Sequence, residues 1–239
     1  MLKINFNTNG FVKIEALISS PEVEHLRGIY KELLEDKEKT EGLRSDLGGG
    51  DGGGKVEKIT QIMCPSTIKP ELLKSVAFKE ALNWAKVLLG DDMALDFDML
   101  INKSPHTNTP TPWHQDAAYW IKMPDKRAVS CWIALDDVYE DNGCMWFIPK
   151  GENMDILKHT PFPNGGALHC KTDTSSAQCI PLKAGGCTFH DGFTLHYSKG
   201  NTTAGQRRAL IFNFRPQKMI DLEREQGIDH TGNRKVRNS

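Results

Sequence analysis

From residue 93 onward, apolar side chains recur at every second position. The stretch MALDFDMLI sets Met93, Leu95, Phe97 and Met99 against Ala94, Asp96 and Asp98, the alternation of a half-buried strand. Further strand-like runs follow at AVSCWIALDDV, GCMWFIP, GCTFHDG, FTLHYS and RRALIFNFR, separated by Gly, Pro, Asn and Asp. The first third of the chain has a different period. Residues 19–38 begin with a serine start signal, a proline and early glutamates. Val23, Leu26, Tyr30 and Leu33 then recur at helical spacing. Residues 70–89 predict a second helix, with Leu73, Val76, Leu82, Ala85 and Leu89 as its apolar stripe and Gly90 to end it. Helices first and strands later predict an antiparallel sheet system backed by helices.

With 239 residues, 38% of them hydrophobic, the chain suits one domain spanning 1–239; neither a repeat nor a dividing linker interrupts it. A formal net charge of −1 leaves no excess of positive charge to grip a polyanion, which argues against nucleic acid as a partner. The opening MLKINFNTNGFVKIEAL alternates polar and apolar residues and contains no bilayer-length run, so no membrane association and a cytoplasmic location are expected. Six cysteines lie scattered without a CxxC pair and are read as reduced packing residues. The glycine run 48–54 lacks the Gly-Lys-Ser/Thr of a phosphate loop and predicts a surface loop instead. The charged tail ending RKVRNS predicts a frayed terminus.

The candidate chemistry sits in TPWHQDAAYW. Residues two apart on an extended segment point the same way, so His114 and Asp116 present an imidazole and a carboxylate to one point. A later segment, FHDGFTLHYSKGNTTAGQRRAL, places His196 and Ser198 on one strand face. A second imidazole would complete a 2-His-1-carboxylate set, which leaves three positions open on octahedral Fe(II) for a chelating keto acid and dioxygen. A dicarboxylate cosubstrate needs a cation at its far end. Arg207 or Arg208 could provide it, but strand alternation lets only one of the two serve.

This arrangement resembles the phytanoyl-CoA dioxygenase family, whose pattern is HxD, a downstream Asp-Asn-Gly turn, and a distal His followed by Asn and Arg. The matching residues are His114-Gln115-Asp116, Asp141-Asn142-Gly143 leading to FIPKG, and His196 with Asn201 and Arg207, within a core of about residues 56–216. The resemblance implies a double-stranded β-helix, a distorted jelly roll, mainly β with flanking helices. It also implies an enzyme using Fe(II), 2-oxoglutarate and O2 that hydroxylates an unactivated C–H bond of a small molecule and forms succinate and CO2. Carried over residue by residue, His114, Asp116 and His196 would hold the iron. Arg207 would meet the distal carboxylate with Ser198 beside it, Trp132 and Met99 would line the pocket, and Lys58 would be a further contributor. Glu152 stands where the family commonly has histidine, so the nearby substrate wall is expected to differ.

Competing readings attach to several of these residues. His190, in FHDG, is the rival for the distal ligand, and the spacing to Asn201 and Arg207 favours His196. His106, His159 and His169 fall in polar stretches and are expected in solvent-facing or substrate-loop positions. Tyr119 and Trp120 could line the substrate pocket or pack in the core. A carboxylate at position 116 argues for hydroxylation over halogenation, which requires that ligand position vacant. A non-catalytic metal-binding sensor or a zinc hydrolase on the same barrel are the alternatives; a structural metal site has no need of Arg207, and no HExxH or comparable base-carrying motif supports the hydrolase. The stretch 150–181, polar and rich in small residues, is where a lid is expected; its composition favours a small polar substrate.

Overall fold

The computed structural model describes residues 2–49, 56–150, 155–161 and 167–231. In chain order, helix α1 (Leu2–Asn9) leads into β1 (Phe11–Ile14) and helix α2 (Ser20–Glu35). Strands β2 (Arg44–Asp46) and β3 (Ile59–Met63) precede helix α3 (Val76–Leu89) and the long β4 (Met93–Lys103). Next come β5 (Thr111–His114), β6 (Val129–Ala134), β7 (Met145–Phe147), β8 (Thr160–Pro161), β9 (Leu168–His169) and β10 (Gln178–Ile180). Strands β11 (Cys187–Asp191), β12 (His196–Ser198) and β13 (Arg207–Pro216) and helix α4 (Gln217–Glu225) complete the order.

The strands build a seven-stranded antiparallel sheet, β1-β11-β6-β13-β4-β3-β2, and a four-stranded antiparallel sheet, β10-β7-β12-β5, with β8-β9 as a separate small pair. Alternation along the central strands divides the core. Leu210, Phe212 and Phe214 of β13 and Val129, Cys131 and Ile133 of β6 pack towards α2 and α3. The intervening Ala209, Ile211, Trp132 and Ala134 form the interior shared with Met145 and Phe147 of the smaller sheet. Two facing antiparallel sheets with helices outside one of them form the double-stranded β-helix.

Helix α2 ends three residues short of the expected stretch, and its buried row Val23, Leu26, Tyr30 and Leu33 is the one that the spacing predicts. In the 70–89 stretch, Pro70–Lys74 is 3-10 helix. Ser75 then caps α3 by accepting the Phe78 amide, and the fully buried row is Ala77, Ala81, Ala85 and Leu88. Val76 is therefore half exposed, because the cap restarts the helix and rotates its apolar face.

Strand β4 also departs from simple alternation. A bulge at its pairing with β13 skips Asp96, so Met93 and Leu95 pack on the helix side, whereas Phe97 and Met99 face the interior. Asp96 and Asp98 are both buried. Most of the glycine run 48–54, Glu152, the charged end of the tail and parts of the expected lid lie outside the described residues. No described helix is long and apolar enough to cross a membrane, and the six cysteines form no disulfide.

Candidate active site

His114 is the last residue of β5, Gln115 keeps extended backbone, and Asp116 opens a 3-10 turn, Asp116–Tyr119. The imidazole and the carboxylate therefore converge two residues apart. His196 opens β12, in direct register with His114 across the β5–β12 pairing. The Nε2 atoms of His114 and His196 lie 3.8 and 3.7 Å from Asp116 Oδ1, and the three ligand-type atoms all fall within 4.8 Å of one another.

Both imidazoles are held in the same way. Nδ1 of His114 bonds the Pro112 carbonyl at 2.8 Å, and Nδ1 of His196 bonds the Thr194 carbonyl at 2.9 Å. A carbonyl can only accept, so each Nδ1 carries the proton and each Nε2 lone pair points at the shared centre. Burial lowers the pKa of His114 and takes that of His196 well below the ordinary imidazole value, so both rings are neutral ligands. Burial alone would raise the pKa of Asp116. The positive charge that the imidazoles of His196, His190 and His114 carry when protonated, together with a hydrogen bond from His190, outweighs it and holds the carboxyl well below the usual carboxylate range. Two neutral imidazoles and one carboxylate thus leave a single negative charge in a buried pocket, a set that suits a divalent cation with open positions.

The second oxygen of Asp116 is spoken for. Ser130 Oγ donates to Oδ2 at 2.9 Å and accepts in turn from Asn213 Nδ2 at 2.9 Å. Ser130 and Asn213 are register partners on β6 and β13, so sheet geometry fixes which carboxylate oxygen faces the ligand centre. His190 stands opposite Ser130 on β11, with Nε2 3.5 Å from the same Oδ2 and no hydrogen-bond partner for Nδ1 among the described residues. It is near the carboxylate but lacks the carbonyl anchor that both presented imidazoles have.

The cavity against this trio is lined in part by Met99, Trp132, Ser198, Arg207 and Ile211. Arg207 is 1% exposed, and its guanidinium lies 5.2 Å from the Trp132 ring centre. Its Nη2 donates to Ser198 Oγ at 3.2 Å, whereas Nε and Nη1 have no hydrogen-bond partner among the described residues. Burial pushes Arg207 down to about 10, which still leaves it cationic at neutral pH. A buried cation with two idle donors next to a ligand trio can receive a carboxylate. Arg208 projects to the opposite face, where Nε and Nη2 grip the two oxygens of Asp136 at 2.9 and 2.7 Å.

Lys58 is not brought to the cavity. It is exposed just before β3, where its amide donates to Asp46 and its carbonyl accepts from the Ser104 amide. Gln61 does line the cavity, and its Nε2 lies 2.6 Å from Met99 Sδ. Lys103 is fully buried behind Arg207, and its ammonium donates to the carbonyls of Thr109, Ser198 and Lys199. The Asp141-Asn142-Gly143 turn braces the same region. Gly143 has φ +90°, and a side chain there would meet the Lys199 carbonyl at 2.5 Å. Asn201 closes the loop between β12 and β13 through the Lys103 and Gly205 carbonyls.

Tyr119 lines the cavity, whereas Trp120 packs with Ala117 and Ala128. Half-buried His159 accepts the Gln115 amide at 3.1 Å and so steadies the His114–Asp116 segment. His106 is exposed and contacts the Thr202 carbonyl; His169 lies on β9.

Comparison with known proteins matches residues 6–209 to the family model described as phytanoyl-CoA dioxygenase. A zebrafish (Danio rerio) phytanoyl-CoA dioxygenase domain-containing protein 1 is 32% identical over 48% of this chain and 42% of its own. Human peroxisomal phytanoyl-CoA dioxygenase is 25% identical, covering 87% of this chain and 66% of its own; the chain thus spans less than two thirds of either curated relative. Among solved structures, EvdO2 from Micromonospora carbonacea var. aurantiaca, complexed with 2-oxoglutarate, superposes with a TM-score of 0.74 and 29% identity over 89% of each chain. On the strength of a match covering most of its length, the chain belongs to the phytanoyl-CoA dioxygenase family.

Proposed function

We propose that the chain is an Fe(II)- and 2-oxoglutarate-dependent oxygenase that hydroxylates an unactivated C–H bond of a small molecule. The observation that carries this reading is Arg207. Its two unpartnered nitrogens are buried in the cavity that the His114, Asp116 and His196 ligand atoms face. A metal held for structure alone, or a zinc-bound hydrolytic water, has no use for that cation. A dicarboxylate chelating the metal with one end has a direct use for it at the other.

On this reading Nε2 of His114, Nε2 of His196 and Oδ1 of Asp116 hold the iron, and Ser130 keeps Oδ2 turned away from it. Iron with 2-oxoglutarate would supply the activation of dioxygen, coupled to decarboxylation of the keto acid to succinate. Arg207 and Ser198 receive the distal carboxylate, while Trp132, Met99 and Ile211 form the apolar wall that excludes water around it. Lys103 fixes the backbone of Ser198 and Lys199, so that the carboxylate clamp is positioned before ligand arrives.

Succinate release from 2-oxoglutarate by purified protein tests this, with Fe(II) present or removed by chelation and a panel of small metabolites added. Iron-dependent succinate that rises with one metabolite, together with an oxygen atom gained by that metabolite in mass spectrometry, is the expected result. Succinate formation indifferent to iron would overturn the proposal.

A further inference from the structure

The largest cavity among those described is not the one at the candidate metal centre. It has a volume of about 900 Å³ against about 70 Å³, and the two share no lining residue. The wall between them is the 3-10 turn itself: Asp116 and Tyr119 face the small cavity, and Ala117, Ala118 and Trp120 face the large one. Trp120 is held firmly in that wall. A side chain at Gly192 would meet its ring at 2.1 Å, and the Gly192 carbonyl accepts the Ala117 amide at 2.8 Å.

The lining of the large cavity has two characters. Trp120, Phe193 and Leu157 supply apolar surface, while five cationic side chains stand against two carboxylates. Arg127 is matched by Asp125 and Asp92 and Arg215 faces Asp96 and Glu223, which lie outside the cavity lining, leaving Lys122, Lys126 and Lys158 against Asp155. Arg215 is the deepest of the five. It is 2% exposed, and its guanidinium carbon lies 3.9 Å from the Trp120 ring centre. Its Nε and Nη1 face Asp96 and Glu223 at 3.2 and 3.4 Å, but Nη2 has no hydrogen-bond partner among the described residues. An idle buried donor on the wall of an apolar cavity with a cationic rim leaves one class of ligand unmatched by the protein itself.

We propose that this cavity is a second ligand site, for an organic anion with an apolar body. The anionic end meets Arg215 and the rim lysines, and the apolar body lies along Trp120, Phe193 and Leu157. The proposal rests on no assumption about the reaction at the metal centre.

The test uses the full chain with 1-anilinonaphthalene-8-sulfonate as fluorescent probe and octanoate and octylamine as competitors. A saturable probe site displaced by octanoate and spared by octylamine is expected. It should persist in His114→Ala protein and in the presence of Mn(II) with saturating 2-oxoglutarate. Arg215→Met should weaken the probe about tenfold or more, the loss of one charge-assisted hydrogen bond. The doubly reversed Lys122→Glu/Lys158→Glu protein alters only exposed positions, so it decides the question should Arg215→Met not fold; it should weaken the probe in the same direction. Probe affinity unchanged in the lysine variant, equal displacement by octylamine, or displacement by 2-oxoglutarate would overturn the proposal.

Discussion

Among the described residues, imidazole and carboxylate atoms approach closely enough to surround an ion in two clusters: His114, Asp116 and His196 in one, Asp96, Glu223 and His230 in the other. Geometry does not separate them, but charge and donor use do. In the second cluster Arg215 reaches Asp96 and Glu223, Arg224 reaches Asp96 at 2.7 Å, and His230 Nε2 lies 3.1 and 2.9 Å from both carboxylates. Burial pushes Asp96 up, and His230, Arg215 and Arg224 more than offset it. Two carboxylates already meet two guanidiniums, and the ring nitrogen that would bind an ion is in use. In the first cluster the carboxylate is supported by the neutral Ser130–Asn213 pair, both Nε2 lone pairs are presented, and the nearby Arg207 is left without an acid. Uncompensated charge and unshared lone pairs, rather than proximity, mark a site built to receive something.

The largest expected contrast is in ion uptake. His114→Ala or Asp116→Ala should weaken Fe(II) or Mn(II) binding by roughly a hundredfold or more, as loss of a direct ligand must exceed loss of an outer support. Circular dichroism should stay native, and His230→Phe should leave metal content by elemental analysis unchanged. Ion loss in the His230 variant alone would invert the comparison.

Of comparable size is the cost of opening the balanced cluster. Glu223→Ala removes one of the two carboxylates that face buried Arg215 and should cost about 3–5 kcal/mol of stability in denaturant titrations. A loss under about 1 kcal/mol would mean that water already compensates these charges.

The idle arginine gives the third contrast. Arg207→Ala should weaken 2-oxoglutarate by about 2–5 kcal/mol, tens- to thousands-fold, in titrations of the metal-loaded protein. Arg208→Ala should leave that affinity near the parent value, because its guanidinium is committed to Asp136 on the other face. Equal impairment of both would show that the strand register does not govern the site.

The smallest effect belongs to Ser130→Ala. Freeing Asp116 Oδ2 should weaken the metal by about tenfold while leaving both imidazole anchors intact. Metal affinity equal to the parent would show that the Ser130–Asn213 pair does not orient the carboxylate.

What the sequence revealed and what it concealed divide along local and long-range lines. The two-residue offset of His114 and Asp116, the alternation that separates Arg207 from Arg208, and the buried row of α2 all follow from backbone periodicity. The Ser130–Asn213 relay does not, because it exists only through the β6–β13 register. Its one local trace is a polar residue interrupting an apolar run, Ser130 in AVSCWIA and Asn213 in LIFNF. The split of β4 into two faces was equally hidden, since nothing in MALDFDMLI marks Asp96 as a bulge. Lys58 lies just before β3 and Gln61 at its middle, and of the two only Gln61 lines the cavity.

The pairing of β5 with β12 has a consequence for how the chain reaches and keeps its shape. His114 and His196 face each other across a ladder of two residue pairs with a register shift between them, and the segments that carry them are distant in the sequence. Such a seam closes a long loop at a large entropic cost for few backbone bonds, so it is expected to form late in folding and to open early. An ion gripped by both imidazoles would act there as a removable clasp on this short join. The ion-loaded chain would then resist heat and proteolysis at this seam, and the resistance would rise with the logarithm of ion concentration.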